Sequence, residues 1–222
     1  MACLLYCVTQ PAPEVSVAPG VCEAAVQSCE MLGVRLYWSN LDDPEVCLGA
    51  AESLKKAAVQ FHQVLREVLA VTTPIPFRFP TLLEREEVFE ESLSSEQELY
   101  HEALARVGNA LQYEIVGTWT DDPQADFSKP VTGKEYLQRR QQSSGRIAAV
   151  ENKLKSVTAD SVREWRGRQE RKTHRWFALV PRENRERFLA SLRSAGGSVG
   201  IKLRLSGPWP PSEFVTPRGA GG

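Results

Sequence analysis

The 222-residue chain has three histidines and five cysteines, and neither set is spaced for metal or redox chemistry. His62, His101 and His174 form no ligand pair at helical spacing and no Cys-x-x-Cys occurs, so a zinc centre has no visible ligand set. Cys3, Cys7, Cys22, Cys29 and Cys47 are odd in number, which excludes a complete set of intramolecular disulfides and favours five buried, reduced thiols. No apolar run approaches the roughly 20 residues that cross a bilayer. Met1-Ala2-Cys3-Leu4-Leu5 lacks the basic flank of a secretory leader, and Gln10-Pro11-Ala12-Pro13 ends the apolar run, so the expected location is the cytoplasm. A Walker loop, a His-Glu-x-x-His and a calcium loop are missing. Gly196-Gly197-Ser198-Val199-Gly200 is spelled like a nucleophile elbow, but a predicted helix precedes it and a predicted strand follows, the reverse of the order an elbow requires. No set of side chains fills the nucleophile, base and oxyanion roles together. The expectation is therefore a protein that is not an enzyme and that uses no cofactor and no metal.

What is present is ordinary in bulk and uneven in distribution. The composition, 42% hydrophobic and 25% charged, is that of a globular protein. The net charge of -1 conceals an acidic half and a basic half: residues 1–110 carry 7 Lys+Arg against 16 Asp+Glu, a net of -9, and residues 111–222 carry 20 against 12, a net of +8. Such asymmetry favours docking of the halves or head-to-tail packing of copies. Basic residues cluster around Trp165 between Arg163 and Arg175, which predicts an exposed loop or helix; without an accompanying motif it implies no nucleic-acid partner.

Periodicity divides the chain further. Leu4 to Thr9 reads as a strand, and Ala24 to Met31 and Val34 to Ser39 as a hairpin turning at Gly33. Asp42-Asp43-Pro44 starts a helix whose apolar row is Leu54, Ala58, Phe61, Leu65 and Val68. The proline-punctuated stretch Pro74 to Pro80 predicts an edge strand or extended connector. Thr81 with Glu84, and Ser95 with Glu98, are spelled as capping boxes for consecutive helices, the first with a solvated acidic face of Glu84, Glu86, Glu87, Glu90 and Glu91. In the second half, a strand from Tyr113 to Trp119, a polar loop from Thr120 to Val131, a helix capped by Thr132 and Glu135, a strand from Trp176 to Val180, a helix from Arg185 to Ala195 and a last strand give β-α-β-α-β. That order predicts an α+β layer of helices on a sheet, with domains at 1–111 and 112–222.

The last strand has the cleanest alternation in the chain, with Val199, Ile201, Leu203 and Leu205 on one face and Gly200, Lys202, Arg204 and Ser206 on the other. It runs into Gly207-Pro208-Trp209-Pro210-Pro211, where proline and glycine leave the Trp209 backbone little freedom. The ring either plugs a core edge or anchors a partner, and its delivery from an apolar face favours the plug.

Three stretches together resemble the GvpF/GvpL family of gas vesicle proteins: Pro76-Phe77-Arg78-Phe79-Pro80-Thr81, Thr132-Gly133-Lys134-Glu135-Tyr136-Leu137-Gln138-Arg139-Arg140, and Leu205-Ser206-Gly207-Pro208-Trp209-Pro210-Pro211. The family usually has Gly where this chain has Pro80, and Tyr-Ser-Phe where it has Ser212-Glu213-Phe214. The resemblance implies two domains, a ferredoxin-like N-terminal α/β domain and an α+β C-terminal domain. It also implies a role in building gas vesicles, the hollow protein shells that give buoyancy, as an accessory or minor structural component. The implied partners are the hydrophobic GvpA-type shell subunit and other gas vesicle accessory proteins, with no nucleic acid and no membrane; the implied location is the cytoplasm and the vesicle. Trp209, Phe214, Arg78, Phe79 and Tyr136 are the candidate partner-binding or structural anchors. A ferredoxin-like module that binds a small ligand or forms a regulatory dimer is the alternative reading.

Overall fold

The computed structural model describes residues 2–12, 15–119, 132–170, 173–195 and 201–215. The described residues of Met1–Leu111 and Trp209–Gly222 form one compact unit, and those of Gln112–Pro208 a second. The terminal segment from Trp209 therefore groups with the first unit, not with the second as the boundaries 1–111 and 112–222 had it. The reason is packing: the 3₁₀ turn Ser212–Phe214 lies on a helix of the first unit and buries Phe214 completely.

In the first unit, β1 (Ala2–Thr9), β2 (Val26–Met31), β3 (Val34–Leu41) and β4 (Ile75–Leu83) form a sheet in the order β2-β3-β1-β4, all pairs antiparallel. This is the ferredoxin-like strand order. Leu32 and Gly33 join β2 to β3 as a two-residue loop with φ of 49° and 75°, a conformation that suits glycine and matches the twist of the strands. His101 reinforces the loop from below through a 2.8 Å hydrogen bond to the Leu32 carbonyl.

Helix α1 (Pro44–Leu48) begins at Asp43, whose carboxylate accepts from the Val46 N–H. The expected long helix breaks after it, and α2 (Ala51–Val71) starts anew. Phe61, Val64, Leu65 and Val68 of α2 pack on Leu4, Tyr6 and Tyr37 of the sheet, whereas Leu54, placed at the head of the expected apolar row, is exposed. The opposite face of the sheet is covered too: the Trp38 ring meets Phe89 edge-on at 5.1 Å. Phe89 opens α3 (Phe89–Ser94), which is followed by α4 (Gln97–Val107). Burial on both faces explains why β1 is apolar without alternation.

Neither of the two capping boxes predicted in the first unit forms. Thr81 lies inside β4, its hydroxyl donating to the Arg78 carbonyl, and the Ser95 hydroxyl donates to the Ser92 carbonyl. Pairing with β1 holds residues 81–83 extended, and that tertiary gain outweighs a local cap. Glu86 is also more than a solvated charge, because Trp38 Nε1 and Asn40 Nδ2 both donate to it, at 3.2 and 2.8 Å.

The connection from β1 to β2 has, among its described residues, a 3₁₀ turn at Val21–Glu23 and no α-helix. Val15, Val17 and Val21 nevertheless cover the sheet beside α2. Side chains hold the segment there: Tyr6 accepts from the Val21 N–H at 2.9 Å and donates to Ser39, which donates to the Ala25 carbonyl. Gln60 and Glu67 of α2 accept from the Cys22 and Ala18 N–H groups.

The second unit runs β5 (Ala110–Trp119), α5 (Gly133–Val157), β6 (Glu164–Glu170), β7 (Thr173–Pro181), α6 (Arg185–Ala195) and β8 (Ile201–Trp209). Its sheet order is β6-β7-β5-β8, so βαββαβ connectivity is complete here and the strand order repeats that of the first unit. The basic segment around Trp165 is a strand, not a loop or helix, paired antiparallel with β7. Its charges sit on one side: Glu164 and Arg166 pair at 2.9 Å, and the Arg168 guanidinium lies 6.0 Å from the centre of the Phe177 ring. Val150, Leu154, Phe188 and Trp176 are buried, as the rows on α5, α6 and β7 require. The polar loop 120–131, the 196–200 turn and the Glu135 side chain lie outside the described residues.

The Tyr6 relay predicts a paired outcome. Tyr6→Phe leaves the Val21 N–H without its acceptor and removes the bond to Ser39, and is expected to cost about 1–3 kcal/mol in denaturant unfolding. An alanine Cβ at Gly20 would lie 2.1 Å from the Tyr6 hydroxyl, so Gly20→Ala is expected to cost a similar amount in the parent and clearly less in a Tyr6→Phe background. Additive losses in the double variant would contradict the contact.

Candidate functional site

β4 departs from its partner where the sequence packs prolines. Pro76 pairs with Cys7 and Thr81 with Leu5, so four residues, 77–80, stand opposite Tyr6 alone. This bulge, which contains a cis Phe79–Pro80 peptide, directs its aromatic rings to different neighbours. Phe79 meets Phe61 at 5.0 Å with the rings tilted by 55° and packs against the core beneath α2, while Phe77 meets Tyr100 of α4 at 6.1 Å. The Tyr100 hydroxyl is held protonated by burial, and its hydrogen bond to Glu96 acts in the same direction. Arg78 is exposed between the rings.

The C-terminal corner has a similar division of labour. Gly207 has a φ of 122°, and a Cβ there would lie 2.8 Å from the Gln112 carbonyl oxygen, so only glycine fits against β5. A cis Gly207–Pro208 peptide follows. Beyond it, Pro211 and Phe214 are buried, whereas Trp209 leaves 41% of its surface exposed. The ring expected to plug the core is thus not the plug; Phe214 is. Trp209 occupies the last position of β8, and the chain turns inward only after it.

The candidate anchors divide accordingly. Phe214 is buried, Phe79 is half-buried against the core, Arg78 and Trp209 present surface, and all four belong to the first unit. Tyr136 is in α5 of the second unit, and its side chain lies outside the described residues.

One feature gave no signal in the sequence. Cys22 and Cys47 form a disulfide with Cα atoms 6.0 Å apart, which corrects the expectation of five reduced thiols; Cys3, Cys7 and Cys29 are free. The residues are 25 apart and share no motif, so only the fold of the first crossover over α1 brings them together. Burial raises the pKa of all three free thiols, and at Cys3 and Cys29 the Glu86 carboxylate adds to it. The disulfide borders a cleft of about 480 Å³ lined by Glu23, Asp42 and Asp43 together with Gln27, Asn40 and Val46, without a basic residue in its wall. In the sequence Asp42 and Asp43 signal only a helix start.

Among the described residues no group of three or more His, Cys, Asp or Glu side chains is placed to hold a metal ion, and no helix is long and apolar enough to cross a membrane. His174, next to Trp176 at 4.4 Å, has its pKa lowered by burial, with Glu151 opposing the shift.

The family model described as "Gas vesicle synthesis protein GvpL/GvpF" matches residues 2–216. The fold is similar to the crystal structure of gas vesicle protein GvpF from Microcystis aeruginosa, at 17% identity and a TM-score of 0.75, covering 97% of this chain and 99% of that one. It is also similar to that of GvpF from Anabaena sp. PCC7120, at 18% identity and a TM-score of 0.73, covering 97% and 96%. No curated protein sequence matches.

Two outcomes follow from this geometry. Phe214→Ala is expected to cost about 3–5 kcal/mol of stability, and Trp209→Ala, whose side chain is already 41% exposed, clearly less, as read by thermal unfolding. Titration of denatured, unreduced protein is expected to find three thiols, rising to five after treatment with a dithiol.

Proposed function

The chain belongs to the GvpL/GvpF family of gas vesicle synthesis proteins, and we propose that it acts in the cytoplasm as an assembly factor or minor component that binds the hydrophobic shell subunit. A subunit that builds a water-excluding wall exposes apolar surface before it is incorporated, and in that state it aggregates unless covered. Covering it requires rigid apolar contacts, not a reaction centre.

The observation that carries this reading is Trp209. The residue is 41% exposed, while the chain beyond it is tied down by buried Pro211 and Phe214. An aromatic side chain offered on an ordered backbone loses little conformational entropy on binding, which is the character of an interface hot spot. Arg78, exposed on the β4 bulge, is a second contact on the same unit.

Co-expression with the shell subunit followed by sedimentation tests the proposal. The subunit is expected to stay in the supernatant at near-stoichiometric ratio with the parent chain and to pellet without it. Trp209→Ala is expected to weaken the complex by about 2 kcal/mol, roughly 30-fold in Kd, with the free protein still folded. Equal pelleting with and without this chain would refute the role, and full binding by the Trp209→Ala protein would refute the site.

A further inference from the structure

Two edge strands of this molecule carry complementary chemistry. Among the described residues β2 has one neighbour, β3, and β8 has one neighbour, β5, so each leaves a row of backbone N–H and C=O groups able to pair with another strand. The remaining edges are poorer templates. β4 is interrupted by Pro76, Pro80 and its bulge, and β6 has Glu164 and Glu170 among its arginines. β2, by contrast, has no proline and no cation, and its first residues open onto the cleft of Glu23, Asp42 and Asp43. β8 has no carboxylate, is free of proline over residues 201–207, and exposes Lys202 and Arg204, two residues apart and so on one side of the strand.

We propose that β8 of one copy adds beside β2 of a second copy, with Lys202 and Arg204 facing Glu23 and Asp42. The occupant of the acidic cleft is then a basic strand of this same chain, in keeping with a net charge of -9 over residues 1–110 and +8 over residues 111–222. Backbone pairing supplies the contact; the charges select the partner edge and make the association salt-dependent. Because the two surfaces differ, the contact is heterologous: each copy keeps one free acidic edge and one free basic edge, and growth proceeds head to tail. This inference does not rest on binding of the shell subunit.

Charge reversal with complementation tests it on the full-length protein. In light scattering at about 10 mM salt the mass of the parent is expected to rise with concentration, and to fall to the monomer at about 1 M, where the Debye length has shrunk from roughly 30 to 3 Å. One variant combines Lys202→Glu with Arg204→Glu; the other combines Glu23→Lys with Asp42→Lys and leaves Asp43 to cap α1. Each alone is expected to stay monomeric at low salt. Their equimolar mixture is expected to recover the parent's mass, since the reversed strand of one variant then meets the reversed cleft of the other and the two unchanged surfaces remain complementary. Should a reversed variant not fold, Lys202→Gln with Arg204→Gln is expected to lower the mass in the same direction, and hydrogen exchange of the associated parent is expected to protect the outer amides of β2 and β8. A parent monomeric at every concentration, a mixture of folded variants that stays monomeric, or new protection on β4 or β6 in place of β2 and β8 would overturn the proposal.

Discussion

The hydroxyl of Tyr6 is the point on which the first unit turns. It stands completely buried on the central strand, accepts the Val21 N–H, donates to Ser39, and through Ser39 reaches the Ala25 carbonyl. A crossover with no α-helix among its described residues leaves backbone groups that no regular structure satisfies, and burying them unpaired would cost about 1–3 kcal/mol each. One phenol therefore substitutes for part of a helix's hydrogen bonding and lets Val15, Val17 and Val21 close the core beside α2. Gly20 follows from the same constraint, since the chain passes so close to the phenol that no Cβ fits. The Cys22–Cys47 disulfide, and with it one wall of the acidic cleft, stands where that crossover has been brought down.

The two units use one strand order with different coverings. The second has a helix in each crossover, while the first replaces the earlier helix by the tacked-down segment and adds α3 and α4 on the opposite face. Covering both faces removes the alternation that would otherwise mark β1 as a strand of an antiparallel sheet. In the second unit the arginines of β6 make a strand resemble an exposed basic connector.

The candidate anchors were legible as a set and not as individuals. Phe79, Arg78, Trp209 and Phe214 all sit in segments where proline and glycine restrict the backbone, and such segments hold side chains in fixed directions whichever way they point. Which way is a matter of a few dihedral angles. At β4 the bulge packs Phe79 against the core and leaves Arg78 outside; at the corner the inward turn falls after Trp209, so burial passes to Phe214.

By itself the sequence determined most of the elements though not β6, the α+β class, the charge asymmetry and the special backbone of the two proline-rich segments. These depend on composition and on periods of two and 3.6 residues, which are local quantities. The tertiary structure alone decided that Cys22 meets Cys47, that Thr81 extends a strand instead of capping a helix, that Glu86 binds Trp38, and that the chain after Trp209 returns to the first unit. Each of these joins groups far apart in the chain, and the energy of such a contact is set by geometry that only the folded backbone supplies. Local propensity, worth a few tenths of a kcal/mol to about 1 kcal/mol per residue, yields wherever strand pairing or core burial offers more.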